Sequence, residues 1–336
     1  MPDVKIVILN WNGEAHLRRF LPSVVAAAPA GVEIVVADNG STDGSLALLA
    51  SGFPTVRVVR LDANYGFAGG YNRALEQIEA DIFVLLNSDV ETPAGWLEPL
   101  LECLERNPDV AVVSPKLISC LEREKFEYAG ASGGFIDFLG YPFCRGRILR
   151  TVEEDRGQYD DERDVFWVSG AAFCCRAGVF RALGGFDADF FAHMEEIDLC
   201  WRMQLAGCRV RVVPRSVVYH LGGGTLQTDS PSKVFYNHRN NLAMLFKCAT
   251  PAQRIVVALL RPGLDLLAAL SYLMQGRADN FRAVFRAWRD FLRWHGALSR
   301  KRQSIRAARK SESRYIYRGS IVLRYLLGRR VFGKLM

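Results

Sequence analysis

Four times before residue 90 the chain runs apolar and then breaks into a loop of Asn, Asp and Gly. Residues 4–9 precede Asn10-Trp11-Asn12-Gly13, and 32–37 precede Asp38-Asn39-Gly40-Ser41-Thr42-Asp43-Gly44-Ser45. Residues 56–61 precede Asn64-Tyr65-Gly66-Phe67-Ala68-Gly69-Gly70-Tyr71-Asn72, and 82–86 precede Asn87-Ser88-Asp89. Uninterrupted apolar runs of this length are how strands buried on both faces of a parallel sheet read. Helical patterns lie at 14–28 and near 95–105, and 110–114 reads as a fifth strand. Such alternation implies βαβ units with parallel pairing and right-handed crossovers. The expected fold is α/β, a Rossmann-like, mostly parallel sheet flanked by helices. Its four polar loops would share one edge, at the carboxyl ends of the strands, where open α/β sheets place their ligands.

The glycines exclude the common nucleotide fingerprints. Only Gly13 follows the first strand, the order Gly-x-Gly-x-x-Gly is absent, and no Gly-x-x-x-x-Gly-Lys-Ser/Thr occurs. The hard oxygens of Asn87, Ser88 and Asp89 suit a divalent cation holding a diphosphate. The same three residues also suit a turn and a helix cap. Asp38, fixed at a strand end, can accept the imide N–H of a uracil or thymine ring, which adenine cannot offer. Its alternative is an Asx-turn or a helix N-cap.

Farther along, 116–165 alternates glycines with aromatics and then becomes strongly charged. It reads as an excursion with a mobile loop on the acceptor side. Ser169-Gly170-Ala171-Ala172 is small enough for close backbone approach, and Gly184-Gly185 ends a short helix over 176–183. Residues 195–206 read as a helix with acids in its first turn, where the macrodipole favours them. Glu195, Asp198 and Arg202 share a face, so Asp198 and Arg202 are either acceptor contacts or a structural i,i+4 pair. Glu196 projects from another side. Two short strands, 210–213 and 217–219, lead to His220.

Six of these segments, in order, carry a family likeness. The loops at Asp38, Asn64 and Asn87, then Gly184-Gly185-Phe186-Asp187, Glu195-Glu196-x-Asp198-Leu199 and His220 closely resemble family 2 glycosyltransferases. Tyr236-Asn237-His238-Arg239-Asn240-Asn241 also resembles their rhamnosyltransferase and galactofuranosyltransferase branch, which acts on lipid-linked glycans. The resemblance implies a GT-A fold, a nucleotide-sugar donor (dTDP or UDP), Mg²⁺ or Mn²⁺, and inversion at the anomeric carbon. By position, Asp38 would bind the base, with Asn10, Asn64 and Asn72 helping to hold the nucleotide. The family's Asp-x-Asp falls on Asn87-Ser88-Asp89, which leaves Asp89 as metal ligand, with His220 completing the site. Its Glu-Asp falls on Glu195-Glu196, making Glu196 the general base and Glu195 a substitute. The acceptor would be lipid-linked or a polysaccharide, in cell-surface glycan synthesis. The alternative is a catalytically inactive nucleotide-sugar-binding regulator, hinted at by Asn87 standing where an acid is usual.

Charge divides the chain. Residues 277–336 hold 17 Lys/Arg against 3 Asp/Glu, whereas 1–276 hold 26 against 33. The expected organisation is a catalytic domain over 1–248 and a basic amphipathic helical region over 249–336 that meets an anionic membrane or the acceptor. Residues 254–274 are apolar but broken by Arg261-Pro262 and Asp265, a poor membrane span. Phe281, Val284, Phe285, Trp288, Phe291 and Leu292 oppose Arg282, Arg286, Arg289 and Arg293, the pattern of an interfacial helix. No nucleic-acid motif accompanies the charge. The eight cysteines form no Cys-x-x-Cys pair and read as reduced, and Met1-Pro2-Asp3 leads straight into a strand, so the expected location is the cytoplasm, peripheral on the inner face of the membrane. Oligomeric state stays open.

Overall fold

The computed structural model describes residues 2–222 and 230–335. Gly223 and Gly224, in the glycine run after His220, lie outside them. The amino-terminal half runs β1 (Val4–Asn10), α1 (Glu14–Ala27), β2 (Glu33–Asp38), α2 (Ser45–Gly52), β3 (Arg57–Arg60), α3 (Gly66–Leu75) and β4 (Ile82–Asn87). Then come β5 (Val90–Glu91), α4 (Glu98–Arg106) and β6 (Val110–Ser119). β3, β2, β1 and β4 are neighbours in that order and all parallel. Phe83, Val84, Leu85 and Leu86 of β4 are wholly buried, as the continuous apolar run requires. The register pairs Asn10 with Asp38 and Leu9 with Asn87, which brings three strand-end loops to one level.

Residues 116–165 depart from expectation. β6 runs on to Ser119, and β7 (Gly134–Asp137), β8 (Pro142–Cys144), β9 (Arg147–Ile148) and β10 (Thr151–Val152) form a second small sheet. Its aromatic residues extend the core under the main sheet, with Phe135, Phe143 and neighbouring Tyr159 in contact with Phe332 from near the carboxyl end. β11 (Arg163–Asp164) and β12 (Ala172–Arg176) return to the main sheet, where β12 lies antiparallel between β4 and β6. α5 (Ala177–Ala182) and α6 (Glu195–Leu205) follow. The two short strands expected at 210–219 are one, β13 (Arg209–His220), with a register shift between Val213 and Val217.

Ser230 and Thr250 cap the next two helices, each followed by Pro at the first helical position: α7 (Pro231–Cys248) and α8 (Pro251–Met274). α9 (Ala278–Arg293), α10 (His295–Ala308), β14 (Ile316–Tyr317) and α11 (Ile321–Leu326) complete the order. This region packs on the catalytic body. β14 pairs with β7, Arg302 caps α7 by donating to the carbonyls of Phe246, Lys247 and Ala249, and Ile321 is fully buried. The apolar stripe of α9 turns mostly inward: Val284 is buried and Phe281 and Trp288 pack beside it, leaving Phe285 and Leu292 exposed. α8 is long and apolar enough to cross a membrane by length and composition, although Arg261 and Asp265 interrupt it.

Candidate active site

The site begins where β4 ends. Asp89 follows the strand by two residues and immediately precedes β5, which pairs antiparallel with the end of β13, Val90 opposite His220. That register puts Asp89 Oδ1 3.1 Å from His220 Nε2, with both side chains buried. The amide nitrogen of Asn87 lies 3.4 Å from the same Nε2. Behind the ring, Glu127 Oε1 lies 3.4 Å from Nδ1. Burial disfavours the imidazolium, but Glu127 and Asp89 outweigh it and push the His220 pKa up to about 10. Burial works against ionised Asp89 too, and His220 overcomes it, holding the carboxyl below its usual range. Glu127, which the sequence reading missed, sits in the segment whose periodicity was unreadable.

The donor set fits a hard divalent cation. One carboxylate and one imidazole face each other, and the Glu127 carboxylate lies behind the far ring nitrogen, which itself makes no hydrogen bond. Among the described residues no group of three His, Cys, Asp or Glu is placed to hold a metal ion by itself. That suits a cation held by one or two protein groups and substrate phosphates.

The neighbouring loops are tied to one another. Asn10 is fully buried and donates from Nδ2 to Asp38 Oδ2 and Ser41 Oγ, both at 3.2 Å, while its Oδ1 has no partner. Asp38 Oδ1 accepts the Ser41 N–H, three residues on, at 3.0 Å, and each carboxylate oxygen keeps a second lone pair. Asn64 accepts from Asn39 and from Gly66 N, holding the third loop. Asn72 spends both ends of its amide on the Phe186 backbone, donating to its carbonyl at 2.8 Å and accepting its N–H at 3.0 Å. It joins α3 to the Gly184-Gly185-Phe186-Asp187 turn. Ser88 is half-buried beneath Gly13, where a Cβ would come within 2.4 Å of Asn10 Oδ1.

The strip 169–172 connects this edge to α6. Ala171 accepts the Asn87 N–H at 3.0 Å, and a Cβ on Gly170 would lie 3.2 Å from Phe67 and 3.7 Å from Glu196 Cβ. Glu195 and Glu196 open α6, and the Oε2 of each is sealed from solvent without a hydrogen-bond partner. Burial, followed by the charge of Glu196, raises the Glu195 carboxyl far above its ordinary range. Burial raises Glu196 only to about 7, because the backbone N–H groups of the helix start offset part of the cost. Glu195 therefore holds its proton to higher pH than Glu196 does. Environments that push paired acids apart in this way separate their chemical roles.

Asp198 and Arg202 take the structural alternative. Arg202 Nε meets Asp198 Oδ2 at 2.8 Å and also donates to the carbonyls of Leu183 and Gly185. Lys247 of α7 reaches Asp198 at 2.8 Å and also pairs with Asp187, and Lys301 of α10 pairs with Asp187 and Asp189.

Comparison with known proteins now decides the class. Residues 5–182 match the family model for Glycosyl transferase family 2. The chain belongs to that family. This family 2 glycosyltransferase is 29% identical over 262 residues to the N-acetylglucosaminyl-diphospho-decaprenol L-rhamnosyltransferase of Mycobacterium tuberculosis, covering 73% of the chain and 85% of that protein. Its fold resembles S. aureus TarS 1–349 in complex with UDP-GlcNAc (TM-score 0.57, 15% identity, 97% of this chain and 92% of that one). It also resembles GalNAc-T7 with UDP, GalNAc and Mn²⁺ (TM-score 0.57, 18% identity, 74% and 48%). The GT-A architecture is thereby shown, and the protein is a glycosyltransferase.

Proposed function

We propose that this enzyme moves a sugar, with inversion, from a dTDP- or UDP-linked donor to a lipid-linked glycan at the cytoplasmic face of the membrane. The reading rests on one observation: the strip 169–172 takes the N–H of Asn87, two residues before Asp89 of the Asp89–His220 pair, and at Gly170 lies against Glu196, whose Oε2 has no hydrogen-bond partner. Asn10, Asp38 and Asn64 would shape the nucleotide pocket, Asp38 through its remaining lone pairs. Asn87 and Ser88 would border the diphosphate, and Asn72 would hold α3 in place. Asp89 and His220 would hold Mg²⁺ or Mn²⁺, which when bound neutralises charge on the departing diphosphate as a Lewis acid. A relative whose name specifies a diphospho-decaprenol acceptor supports the lipid-linked class.

In the transfer step the acceptor oxygen bonds to the anomeric carbon as the carbon–oxygen bond to the diphosphate breaks. Glu196 takes the hydroxyl proton. A base on the face opposite the leaving group leaves the new bond inverted. Proton removal at this point contributes about 10²–10⁴-fold. Residues 1–248 would carry the chemistry, and 249–336 would set the enzyme against the membrane. The test is incubation with UDP-, dTDP- and GDP-sugars, Mn²⁺ or Mg²⁺ and a polyprenyl-diphosphate sugar acceptor. Transfer from a pyrimidine donor that stops on chelation is expected. No binding or turnover of any donor would end the proposal, and binding without turnover would favour the inactive regulator.

A further inference from the structure

Helix α8 is built inside out. Its inward stripe, at four-residue steps, is Gln253, Val257, Arg261, Asp265 and Ala269, all buried. Arg261 pairs with Asp265 at 3.2 Å and donates to Leu139 O at 2.9 Å and Asn241 Oδ1 at 2.6 Å. Trp288 Nε1 donates to Asp265 Oδ2 at 3.0 Å. The leucines face out instead: Leu259 is 75% exposed, Leu267 64%, and Leu266, Leu270 and Leu273 between 41% and 46%. A continuous apolar face of this kind on a protein surface marks a contact with something else. Beside it, Pro262, Asp265, Leu266, Val284, Phe285 and Trp288 line an open cleft of about 220 Å³ between α8 and α9.

Two features identify the occupant. α9 carries exposed Arg282, Arg286, Arg289 and Arg293, and residues 277–336 carry the 17-to-3 excess of basic over acidic residues. A second copy would bring the same positive charge, whereas anionic headgroups over hydrocarbon complement both chemistries. Crossing the bilayer would tear Arg261 and Asp265 from their partners and set them in hydrocarbon, a costly exchange. We infer that the outward leucine face of α8, followed in the chain by the strongly basic region 277–336, docks on an anionic lipid bilayer with α8 lying in the interface plane rather than across it. Arg261 also fixes this surface to the catalytic body through Asn241, the neighbour of Asn240, which holds the loop ahead of Glu195.

The inference deepens the membrane reading above, but its test needs neither donor nor acceptor. Full-length protein is floated with vesicles of phosphatidylcholine, with or without phosphatidylglycerol. The triple variant Leu259→Ser/Leu266→Ser/Leu270→Ser should keep the parent circular dichroism and melting curve and lose about tenfold or more in vesicle partitioning. Arg282→Gln/Arg289→Gln should lose binding to the anionic vesicles alone, and added salt should erase that difference. A fluorophore on Leu259→Cys, Leu266→Cys or Leu273→Cys should report the same shallow depth in all three. Wild-type flotation by the serine variant would overturn the inference. So would graded depths, which indicate a span, or a lipid-indifferent dimer that the serine variant splits. A protein that floats but transfers no sugar would defeat the proposed function and leave this inference standing.

Discussion

Glu196 carries the sharpest residue-scale consequence. Burial lifts its carboxyl from 4.5 to about 7, so the folded protein keeps this proton to higher pH than the unfolded chain does. The sign follows from linkage: its contribution to stability is complete below about 4.5 and is lost as pH rises through 7. With Glu196 as the proposed base, transfer would need its ionised form, so kcat should climb through the same window in which the melting temperature declines. A pH profile of kcat measured alongside thermal melts checks both slopes. Glu196→Gln should keep donor affinity, lower kcat by about 10²–10⁴-fold and flatten the acid limb. Unchanged turnover would move the base to another residue. At the other end, Asp89→Asn or His220→Ala should weaken Mn²⁺-dependent donor binding by calorimetry, with metal-independent affinity little changed. Equal Mn²⁺ response in parent and variant would remove both residues from the metal site.

At the scale of elements, the turn leading into α6 holds strain in place. Phe191, His193 and Met194 all have positive φ (64°, 69° and 72°), costly for residues with a Cβ. Asn240, fully buried on α7, donates to the carbonyls of Phe190, Ala192 and His193 at 2.8–3.0 Å. Arg239 donates to Asp189 and Phe190 while stacked on Trp294. The Phe191 carbonyl in turn accepts the N–H groups of Phe67 and Ala68, which ties this turn to the start of α3. Gly66 permits that approach: at φ 70° a Cβ there would meet Phe191 O at 2.5 Å. Asn240→Ala should cost about 1–3 kcal/mol of stability, because it strands buried carbonyls. If the turn positions Glu196, kcat should fall more than donor affinity. A variant with parental kcat and melting temperature would show that the clamp is idle.

On the scale of the whole molecule, the carboxyl-terminal third is part of the catalytic body. Lys247 and Lys301 neutralise Asp187, Asp189 and the α6 residue Asp198, Trp201 donates to Ser313, and Phe332 packs on the aromatic residues of the second sheet within the shared core. Deleting 277–336 should therefore lower the melting temperature or abolish soluble folding, in addition to any loss of lipid contact. A truncated chain that melts like the parent would show the two regions to be independent. Lys247→Met should be strongly destabilising, by about 3–5 kcal/mol, because Asp198 is left buried with half its partners, and chemical denaturation measures it directly.

The sequence alone determined the βαβ half, the sheet edge that carries the loops, and the helix that opens with Glu195 and Glu196. Those are local matters: apolar runs of five or six residues, polar strand ends and a 3.6-residue period are written in neighbouring letters. Tertiary structure decided the rest, where meaning depends on residues far apart in the chain. Only the register of β5 on β13 brings Asp89 to His220, and only the fold of 116–165 puts Glu127 behind that ring. Only packing could make Asp198–Arg202 structural, turn the aromatic stripe of α9 inward and leave the leucines of α8 facing out. A stripe of apolar residues announces that a helix has a face to cover. Which neighbour covers it, and whether any does, is settled by long-range contacts that a periodicity does not contain.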